Sequence, residues 1–391
     1  MDFALTPEQT LLAESLRRFF RQEYSFEQRL QIAAVRGGFS EEIWRALAKQ
    51  GVLGIGMPEA YGGWGDPFDL MVVMGEVGRA LMLEPIVSTV VLCASLIQDR
   101  GSPAQQSAIL PQVIRGEVRL ALAHYEQEAR YSLDEVLTTV RRKNGSYRLN
   151  GRKAVVLDAP SAKWLVVSAK QELSADLSLY LIDRSAPGVG CSAYRTQDDR
   201  SAAHIRFDDV HVTEEHLLGA PGSAKASLEH AIGRAVAAVC ADAVGAMEAV
   251  NELTLAYLSS RRQFGQQIGR FQVLQHRIAD MFLWATQARS MCMLATARCT
   301  DPDDASRRRA LACAKAYIGR AGRFVGQQAV QLHGAMGLAA QCPTGHFLKR
   351  LTALDAMFGN VDHHVAAVSD AILANLSTEP EADITGTSSR T

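Results

Sequence analysis

The first 118 residues carry apolar side chains at helical spacing. Thr6-Pro7-Glu8 is a helix start with proline in the first turn, and apolar residues follow it at helical spacing. They are Leu11, Leu12, Leu16, Phe19 and Phe20. The stretch MPEAYGGWGDP at 57–67 interrupts the pattern with prolines and glycines, so it predicts a loop. We therefore predict a helical domain over 1–118.

Between 119 and 222 the pattern changes to short alternating runs. The segments KWLVVSA, LSLYLID and AHIRFDDVHV are separated by Ser, Pro, Gly or Asp, which is typical of strands. Asn150-Gly151 lies between two further strand-like runs and predicts a hairpin turn. These features predict a middle β domain over 119–222, folded as a small sandwich or barrel.

Helical spacing returns after GAPGSAKAS and predicts a C-terminal four-helix bundle over 223–375. DPDD at 301–304 breaks it, and CPTG at 342–345 precedes the last helix. The polar segment 376–391 is predicted to be a disordered tail. One apolar helix face is formed by Ile278, Met281, Phe282, Ala285, Ala288, Met291, Cys292 and Ala295. Helices, a β unit and then helices predict a mostly helical α+β fold.

Composition excludes several classes of protein. The chain has 391 residues, 48% of them hydrophobic and 21% charged, and its net charge of -1 provides no broad basic surface for a nucleic acid. Its 7 cysteines are scattered without a CxxC pair, which argues against a disulfide framework or a zinc site. The acidic N-terminus and the lack of about 18 consecutive apolar residues predict a cytoplasmic protein without a membrane span.

The stretch MFGNVDHH at 357–364 places a carboxylate, Asp362, beside two histidines. It makes a poor metal site, because adjacent helical residues point about 100° apart whereas metal ligands usually recur at i, i+3 or i+4. Asp362 has the chemistry of a catalytic base. The favoured interpretation is that Asn360 or Asp362 caps the last helix, since such caps are common at helix starts.

Six segments resemble the flavin-dependent acyl-CoA dehydrogenase family, in order along nearly the whole chain. They are MDFALTPEQ, GIGMPEAYGGWG, LNGRKAVV, RFDDVHV, SRRQFGQQIGRFQVLQHRIADM and QLHGAMGL. The resemblance implies a tetramer built as a pair of dimers, with FAD shared across the dimer interface. It also implies α,β-dehydrogenation of an acyl-CoA thioester, in which a carboxylate removes the α-proton and the β-hydrogen leaves as hydride to the flavin.

Two of these segments carry side chains suited to FAD. A pyrophosphate needs a planar multi-donor cation, as Arg261 or Arg262 provides, and adenine needs a flat apolar neighbour, such as Phe264 or Phe271. The alternative is that the arginines form a solvated pair after a helix and the glycines simply end one. By resemblance, the family's FAD-contacting positions are held by Arg261, Phe264, Gln272, Gln331 and Gly334.

The resemblance fails where the base should be. Most family members have Tyr-Glu-Gly-Thr before the last helix, but this chain has MFGN at 357–360, and neither Phe358 nor Gly359 can take a proton. The position that some relatives use instead falls on GRAVAA at 233–238, again without an acid. Asp362 is the nearest acid on the expected loop.

The flavin-ring segments of the β domain depart as well. HYEQEARYS at 124–132 keeps Glu126 but loses the family's Thr-Glu-Pro-Gly pattern, and VVLDAP at 155–160 replaces Trp-Ile-Thr. Tyr125 or His124 is a candidate substitute hydrogen-bond donor. The ring's local contacts are therefore more altered than the pyrophosphate and adenine end.

Three hypotheses follow from these departures. The leading one is a partner-dependent subunit, because the chain resembles the smaller, degenerate member of bacterial α2β2 acyl-CoA dehydrogenases, associated with dicarboxyl-CoA or steroid side-chain degradation. The second is an active homotetramer that uses Asp362. The third is a non-enzymatic relative that binds a protein or a nucleic acid, which the net charge disfavours. For the enzymes, the resemblance implies an electron-transferring flavoprotein as the electron acceptor.

Overall fold

The computed structural model describes residues 4–35, 37–143, 146–172 and 174–376. Two helical regions flank a β-sheet, so the predicted α+β fold is confirmed. One apolar core runs through both helical regions, and a second lies within the sheet. The predicted disordered tail falls outside the described residues, apart from Leu376 at the end of the last helix.

The N-terminal helices begin where the sequence signals them. Thr6 caps the first helix in a reciprocal pair of hydrogen bonds with Gln9, directly before Pro7. The loop at 57–67 is closed by a bridge between Ile55 and Trp64. The elements are α1 (Pro7–Glu23), α2 (Phe26–Ala34), α3 (Glu41–Lys49), α4 (Pro67–Arg79), a π-helix (Val87–Ala94), α5 (Ser95–Arg100) and α6 (Pro103–Ile114).

The middle strands form an 8-stranded sheet with the order β6-β7-β3-β2-β4-β5-β8, and β1 pairs with β4. Most pairs are antiparallel, whereas β1 and β2 each run parallel to β4. The strands are β1 (Leu120–Ala123), β2 (Thr139–Lys143), β3 (Ser146–Leu157), β4 (Trp164–Gln171), β5 (Leu177–Asp183), β6 (Val189–Arg195), β7 (Ser201–Val212) and β8 (Leu217–Leu218).

The hairpin predicted at Asn150-Gly151 is wrong. Both residues lie inside β3, where the pairing register with β7 shifts between Leu149 and Gly151. A Cβ at Gly151 would overlap Thr138, so glycine is needed there for close strand approach. Strands β2 and β3 pair from Lys143 opposite Ser146 to Thr139 opposite Asn150. The positions that join the two strands, 144–145, lie outside the described residues.

The C-terminal region consists of long helices. They are α7 (Lys225–Ser260), α8 (Gln272–Arg298), α9 (Asp304–His333), α10 (Pro343–Ala356) and α11 (Val361–Leu376). Of the described helices, α7 alone is long and apolar enough to cross a membrane, but 89% of its apolar window is buried. The apolar face predicted on α8 packs inward at Met281, Ala285 and Ala288, whereas Phe282 is exposed.

Buried ion pairs join the two helical regions to the sheet. Arg29 of α2 donates to the carbonyl of Asp198 at 2.9 Å and pairs with Asp199 at 3.1 Å. Arg350 of α10 pairs with Asp198 and with Asp242 of α7. Charges buried together in this way fix the relative positions of the elements, because separating them leaves an uncompensated charge.

Helices α4 and α7 cross at small residues, which gives a test of their packing. A Cβ at Gly78 would overlap the carbonyl group of Asp242, whereas a Cβ at Gly75 meets no atom within 4 Å. We expect Gly78→Ala to lower the free energy of unfolding by about 3 kcal/mol through overpacking. Gly75→Ala on the same helix should be neutral or stabilising, by up to about 1 kcal/mol, because alanine favours a helix. Urea unfolding of both variants checks this; equal losses would contradict the close crossing.

Candidate functional site

A tight hairpin after α7 displays an aromatic ring to solvent. It consists of β9 (Arg262–Gln263) and β10 (Gln266–Gln267), and its turn residues Phe264 and Gly265 have φ of 52° and 78°. A bulky residue with positive φ is an outlier, and Phe264 is also 89% exposed. Backbone strain combined with an exposed ring is typical of a binding residue.

The other residues assigned to FAD lie at the joined ends of α7, α8 and α9. Tyr257 stacks on His333 with ring centroids 4.4 Å apart, which connects the end of α7 to the end of α9. Gln331 is exposed beside this stack, and Gly334 has φ of 59° with no atom within 4 Å of an added Cβ. Gln272 is exposed at the start of α8. The structure therefore groups these residues with Arg261 and Phe264 on an accessible surface.

The same C-terminal region exposes many large apolar side chains. Exposed apolar side chains that lie together mark surfaces that another protein chain covers, whereas single ones are normal. They are Val273, Phe282, Leu283 and Leu294 on α8, Met336 and Leu338 after α9, and Val365, Ile372 and Leu373 on α11.

Glu126 is fully engaged inside the β domain. It accepts hydrogen bonds from the backbone N–H groups of 137–138 at 2.7 and 3.0 Å and from Lys153 Nζ at 2.7 Å. Lys153 also donates to the carbonyl of His124 and to Ser168 Oγ, both at 3.0 Å. Burial lowers the pKa of Lys153 to about 8, against the opposing charge of Glu126. The ion pair between Glu126 and Lys153 therefore connects the segment after β1 to strand β3.

His124 carries a hydrogen-bonding atom without a partner. Its Nδ1 pairs with Ser168 Oγ at 2.9 Å, while Nε2 is buried and bonds to no described residue. Burial and the charge of Lys153 lower the pKa of His124 to about 3, so the ring is neutral near pH 7. Buried polar atoms are usually paired, so Nε2 is suited to a ligand that reaches this segment.

The segment that replaces Trp-Ile-Thr is an irregular end of β3. Val155 has φ of 51° and is half exposed, and Asp158 has φ of 60°. A β-branched residue at positive φ is a clear outlier. Asp158 is buried and accepts a hydrogen bond from Ser88 of the π-helix, and burial raises its pKa to about 6. No flat aromatic side chain stands at 155–160.

The loop between α10 and α11 has no carboxylate, because the buried Phe358 stands where the Tyr-Glu-Gly-Thr phrase has glutamate, and Gly359 stands where that phrase also has glycine. Gly359 has φ of 106°, and an added Cβ would lie 2.5 Å from Cδ2 of His363 and 2.6 Å from Nε2 of His364. Burial, with the charge of Lys315, lowers the pKa of His364 to about 4, so its neutral Nε2–H donates to the Phe358 carbonyl at 3.1 Å. Lys315 Nζ donates to the Gly359 carbonyl at 2.9 Å. These contacts hold the loop in place.

Asn360 provides the cap of α11, and Asp362 is exposed in its first turn. Asn360 Oδ1 accepts a hydrogen bond from the backbone N–H of His363 at 3.0 Å. Tyr131, from the segment after β1, contacts the His363 ring with centroids 5.2 Å apart. A catalytic base needs a protected position close to the proton that it removes, and the exposed Asp362 lacks that protection.

Two buried lysines were not predicted from the sequence. Lys315 lies on the apolar face of α9 between Leu311 and Ile318, and Lys153 shares the inward side of β3 with Leu149. The sequence does contain a signal for them, which is a lysine at a position that the hydrophobic periodicity assigns to the core. A lysine buried there needs a buried partner. The alternative base position at 233–238 is the buried part of α7 and holds no acid.

The chain matches three family models in succession. They are described as the acyl-CoA dehydrogenase N-terminal domain over residues 6–117, the middle domain over 121–210 and the C-terminal domain over 225–373. This chain belongs to the acyl-CoA dehydrogenase family. It is accordingly an oxidoreductase that acts on CH–CH bonds, with FAD as the cofactor of the family.

Individual acyl-CoA dehydrogenase relatives are moderately similar. Mitochondrial isovaleryl-CoA dehydrogenase of Solanum tuberosum is 29% identical, covering 78% of this chain and 76% of the relative. Acryloyl-CoA reductase (NADH) of Anaerotignum propionicum is 26% identical, covering 95% and 96%. The solved Tcur3481–Tcur3483 steroid ACAD variant superposes with a TM-score of 0.84 at 26% identity, covering 95% and 99%.

No metal centre accompanies the site in the part of the chain that the structure describes. Within it, no group of three or more His, Cys, Asp or Glu side chains is arranged to hold a metal ion. His363 and His364 instead make the ring and backbone contacts given above.

Proposed function

We propose that this chain is a partner-dependent subunit of an FAD-dependent acyl-CoA dehydrogenase, and that a related subunit supplies the catalytic base. The observation that carries the proposal is Phe358, a buried apolar side chain that stands where the family's Tyr-Glu-Gly-Thr phrase has its glutamate. Removal of the α-proton needs a positioned base. The complete active site would then be the partner's.

The described residues fit the ADP end of FAD. Arg261 would bind the pyrophosphate through its planar guanidinium, and Phe264 would stack on the adenine. Gln272 and Gln331 would donate and accept hydrogen bonds, and the open space at Gly334 would admit the cofactor closely. FAD supplies the hydride acceptor for the reaction. These residues are exposed on the C-terminal domain, which supports their use across a subunit interface.

The flavin-ring end is less complete in this chain. The unpartnered Nε2 of His124 is the feature that fits a ring contact, whereas Val155 offers no flat surface and Glu126 is occupied by Lys153. This asymmetry supports a division of labour. The partner would hold the ring and the base, and this chain would hold the nucleotide end.

The exposed apolar residues on α8 and α11 support assembly with another chain, because they would be buried in an interface. The Tcur3481–Tcur3483 steroid ACAD is named for two components, which is compatible with a heterotetramer here. A self-associated tetramer is the alternative. We propose an acyl-CoA with a steroid-derived or dicarboxylic acyl group as the substrate, an electron-transferring flavoprotein as the acceptor and the cytoplasm as the location.

The test is the visible spectrum of the purified chain, alone and co-expressed with a related acyl-CoA dehydrogenase subunit from the same organism. Each preparation is challenged anaerobically with a panel of acyl-CoAs. We expect the chain alone to be colourless and inert, and the complex to be yellow and bleached by substrate. Bound flavin that is bleached in the single chain would contradict partner dependence, and Asp362→Ala would then test Asp362 as its base.

Phe264→Ala should weaken FAD binding by the complex about 5- to 150-fold, because stacking of a base on an aromatic ring contributes about 1–3 kcal/mol. Its melting temperature without FAD should not change, since the ring is exposed. The measurement is flavin retention during dialysis against FAD-free buffer. Tyr147→Ala, which removes an exposed aromatic ring from the β domain, is the matched control and should retain flavin.

A further inference from the structure

A cavity of about 200 Å³ lies between α4, the π-helix, α7 and the end of α8. Its lining includes no residue of the middle sheet, of the hairpin at 262–267 or of the loop at 357–364. It is therefore separate from the candidate cofactor site and the base loop. The apolar part of its wall includes Leu70, Met71, Val90, Val91, Ala237 and Ala238.

The buried end of this cavity holds a hydroxyl group without an oxygen or nitrogen partner. Thr296 is 2% exposed and lines the cavity, and its Oγ1 has only the Cys292 thiol as a weak partner among the described side chains. Ser95 also lines the cavity, but its hydroxyl donates to the Val91 carbonyl at 2.8 Å. Because buried hydroxyls are normally paired, Thr296 is suited to a hydrogen bond with an occupant.

The π-helix that forms one wall is itself an unusual element. It is 8 residues long, and Val90 and Val91 from it face the cavity. Such stretches are rare and are frequent at functional sites. On the same helix, Ser88 and Thr89 bond to Asp158 and to the carbonyl of Leu120, so the wall is anchored to the sheet.

A cation lies at the accessible end of the cavity. Arg234 is only partly buried, and its guanidinium stands 3.5 Å from Asp99 Oδ2, which is longer than a normal hydrogen bond. Gln98 lines the cavity as well, and so does Asp66, whose carboxylate is held by the backbone N–H groups at the start of α4. The site thus combines a charged entrance, an apolar middle and an inner hydroxyl.

We propose that this cavity binds an apolar carboxylic acid with a hydrogen-bond acceptor at its far end. The carboxylate of the ligand would pair with Arg234, and its hydrocarbon chain would fill the apolar middle of the cavity. The acceptor at the far end would accept a hydrogen bond from the Thr296 hydroxyl. An apolar cavity of about 150 Å³ holds benzene, so this one takes roughly eight non-hydrogen atoms. 7-Oxooctanoate fits, because its carboxylate group stays at the entrance with Arg234 and its remaining seven carbons and keto oxygen make up about eight non-hydrogen atoms inside the cavity. The inference does not rest on the proposed partner or on FAD.

The test is isothermal titration calorimetry of the purified full chain with 7-oxooctanoate and with octanoate, which lacks the keto oxygen. We expect 1:1 binding of the keto acid and about tenfold weaker binding of octanoate. Thr296→Val should remove that difference, and Arg234→Gln should weaken both acids about tenfold. Arg308→Gln makes the same charge change on the exposed face of α9 and should leave binding unaltered.

Ala238→Leu, which fills the cavity, should abolish binding while the circular dichroism spectrum stays unchanged. If that variant misfolds, the Thr296 and Arg234 variants still decide the question, because neither adds volume. The proposal is overturned by absence of binding at millimolar concentrations, by equal affinities for the two acids, or by equal effects of the Arg234 and Arg308 substitutions. None of these results would bear on the flavin spectrum, so the two proposals fail independently.

Discussion

Replacing Arg350 by methionine should lower the free energy of unfolding by about 3–5 kcal/mol, because it removes the positive charge that two buried carboxylates share. Arg350 Nε donates to Asp242 Oδ1 at 3.1 Å, and its NH1 donates to Asp198 Oδ2 at 3.3 Å. Both carboxylates are buried, and methionine fills similar space without a positive charge. Denaturant unfolding monitored by circular dichroism measures the loss.

Arg323→Met is the matched control, because Arg323 is exposed and reaches Asp355 only at 3.5 Å. Exposed ion pairs contribute about 0–1 kcal/mol, so a small effect is expected. Equal losses at the two positions would show that the Arg350 pairs are not the cause.

The loss in free energy of unfolding caused by Arg350→Met should also depend on pH. Burial acts to raise the pKa of Asp198, but the charges of Arg200 and Arg350 hold it below its ordinary value. In the parent chain this carboxylate therefore stabilises the fold above its unfolded pKa, and the contribution is lost as pH falls through the folded pKa. Without Arg350, burial raises that pKa, and protonation relieves the stranded charge. The difference between variant and parent should shrink from pH 8 to pH 5; a constant difference would contradict this account.

Phe358→Glu, which restores the acid at the family's position, should not create an active enzyme from the isolated chain. Phe358 is buried in the main apolar core, so a glutamate there would lose the packing of the ring and place a carboxyl group among apolar side chains. We expect no acyl-CoA oxidation, because the flavin-ring contacts stay incomplete, and a loss of about 3 kcal/mol in the free energy of unfolding. Anaerobic flavin bleaching and urea unfolding measure the two effects.

Phe358→Gln separates the effect of the lost ring from the effect of a carboxylate. It should lose nearly as much stability as the glutamate variant, because both replace the buried ring with a polar side chain. Turnover by Phe358→Glu alone would mean that the chain holds flavin and substrate and lacks only the acid. That result would contradict the proposal that the partner completes the active site.

Local signals account for much of the fold. Thr6, Pro7 and Gln9 start α1 through contacts within one turn, so the sequence suffices to place that start. Asn150-Gly151 is a turn signal of the same local kind, yet the strand continues through it because pairing with β7 and the approach of Thr138 decide its geometry. Phe282 repeats with the apolar face of α8 but stays exposed.

For the functional residues, too, the sequence predicts one part and the fold decides the other. Residue types alone predict a cation, an aromatic ring and two glutamines for FAD, and they reveal that 357–360 has no acid. They also identify Glu126, but not that Lys153 occupies it. The partner of a buried charge lies wherever the fold brings one, and one sequence does not specify that distance.

The sequence by itself determined the family, the order of helices, sheet and helices, and the absence of a glutamate at Phe358 and Gly359. Only the tertiary structure decided that His363 and His364 fill the space beside Gly359 and that Phe264 stands in solvent at positive φ. It alone showed the Thr296 hydroxyl without an oxygen or nitrogen partner in its cavity. Composition and periodicity follow from neighbours along the chain, whereas free space, strain and unpaired groups depend on atoms that only folding brings together.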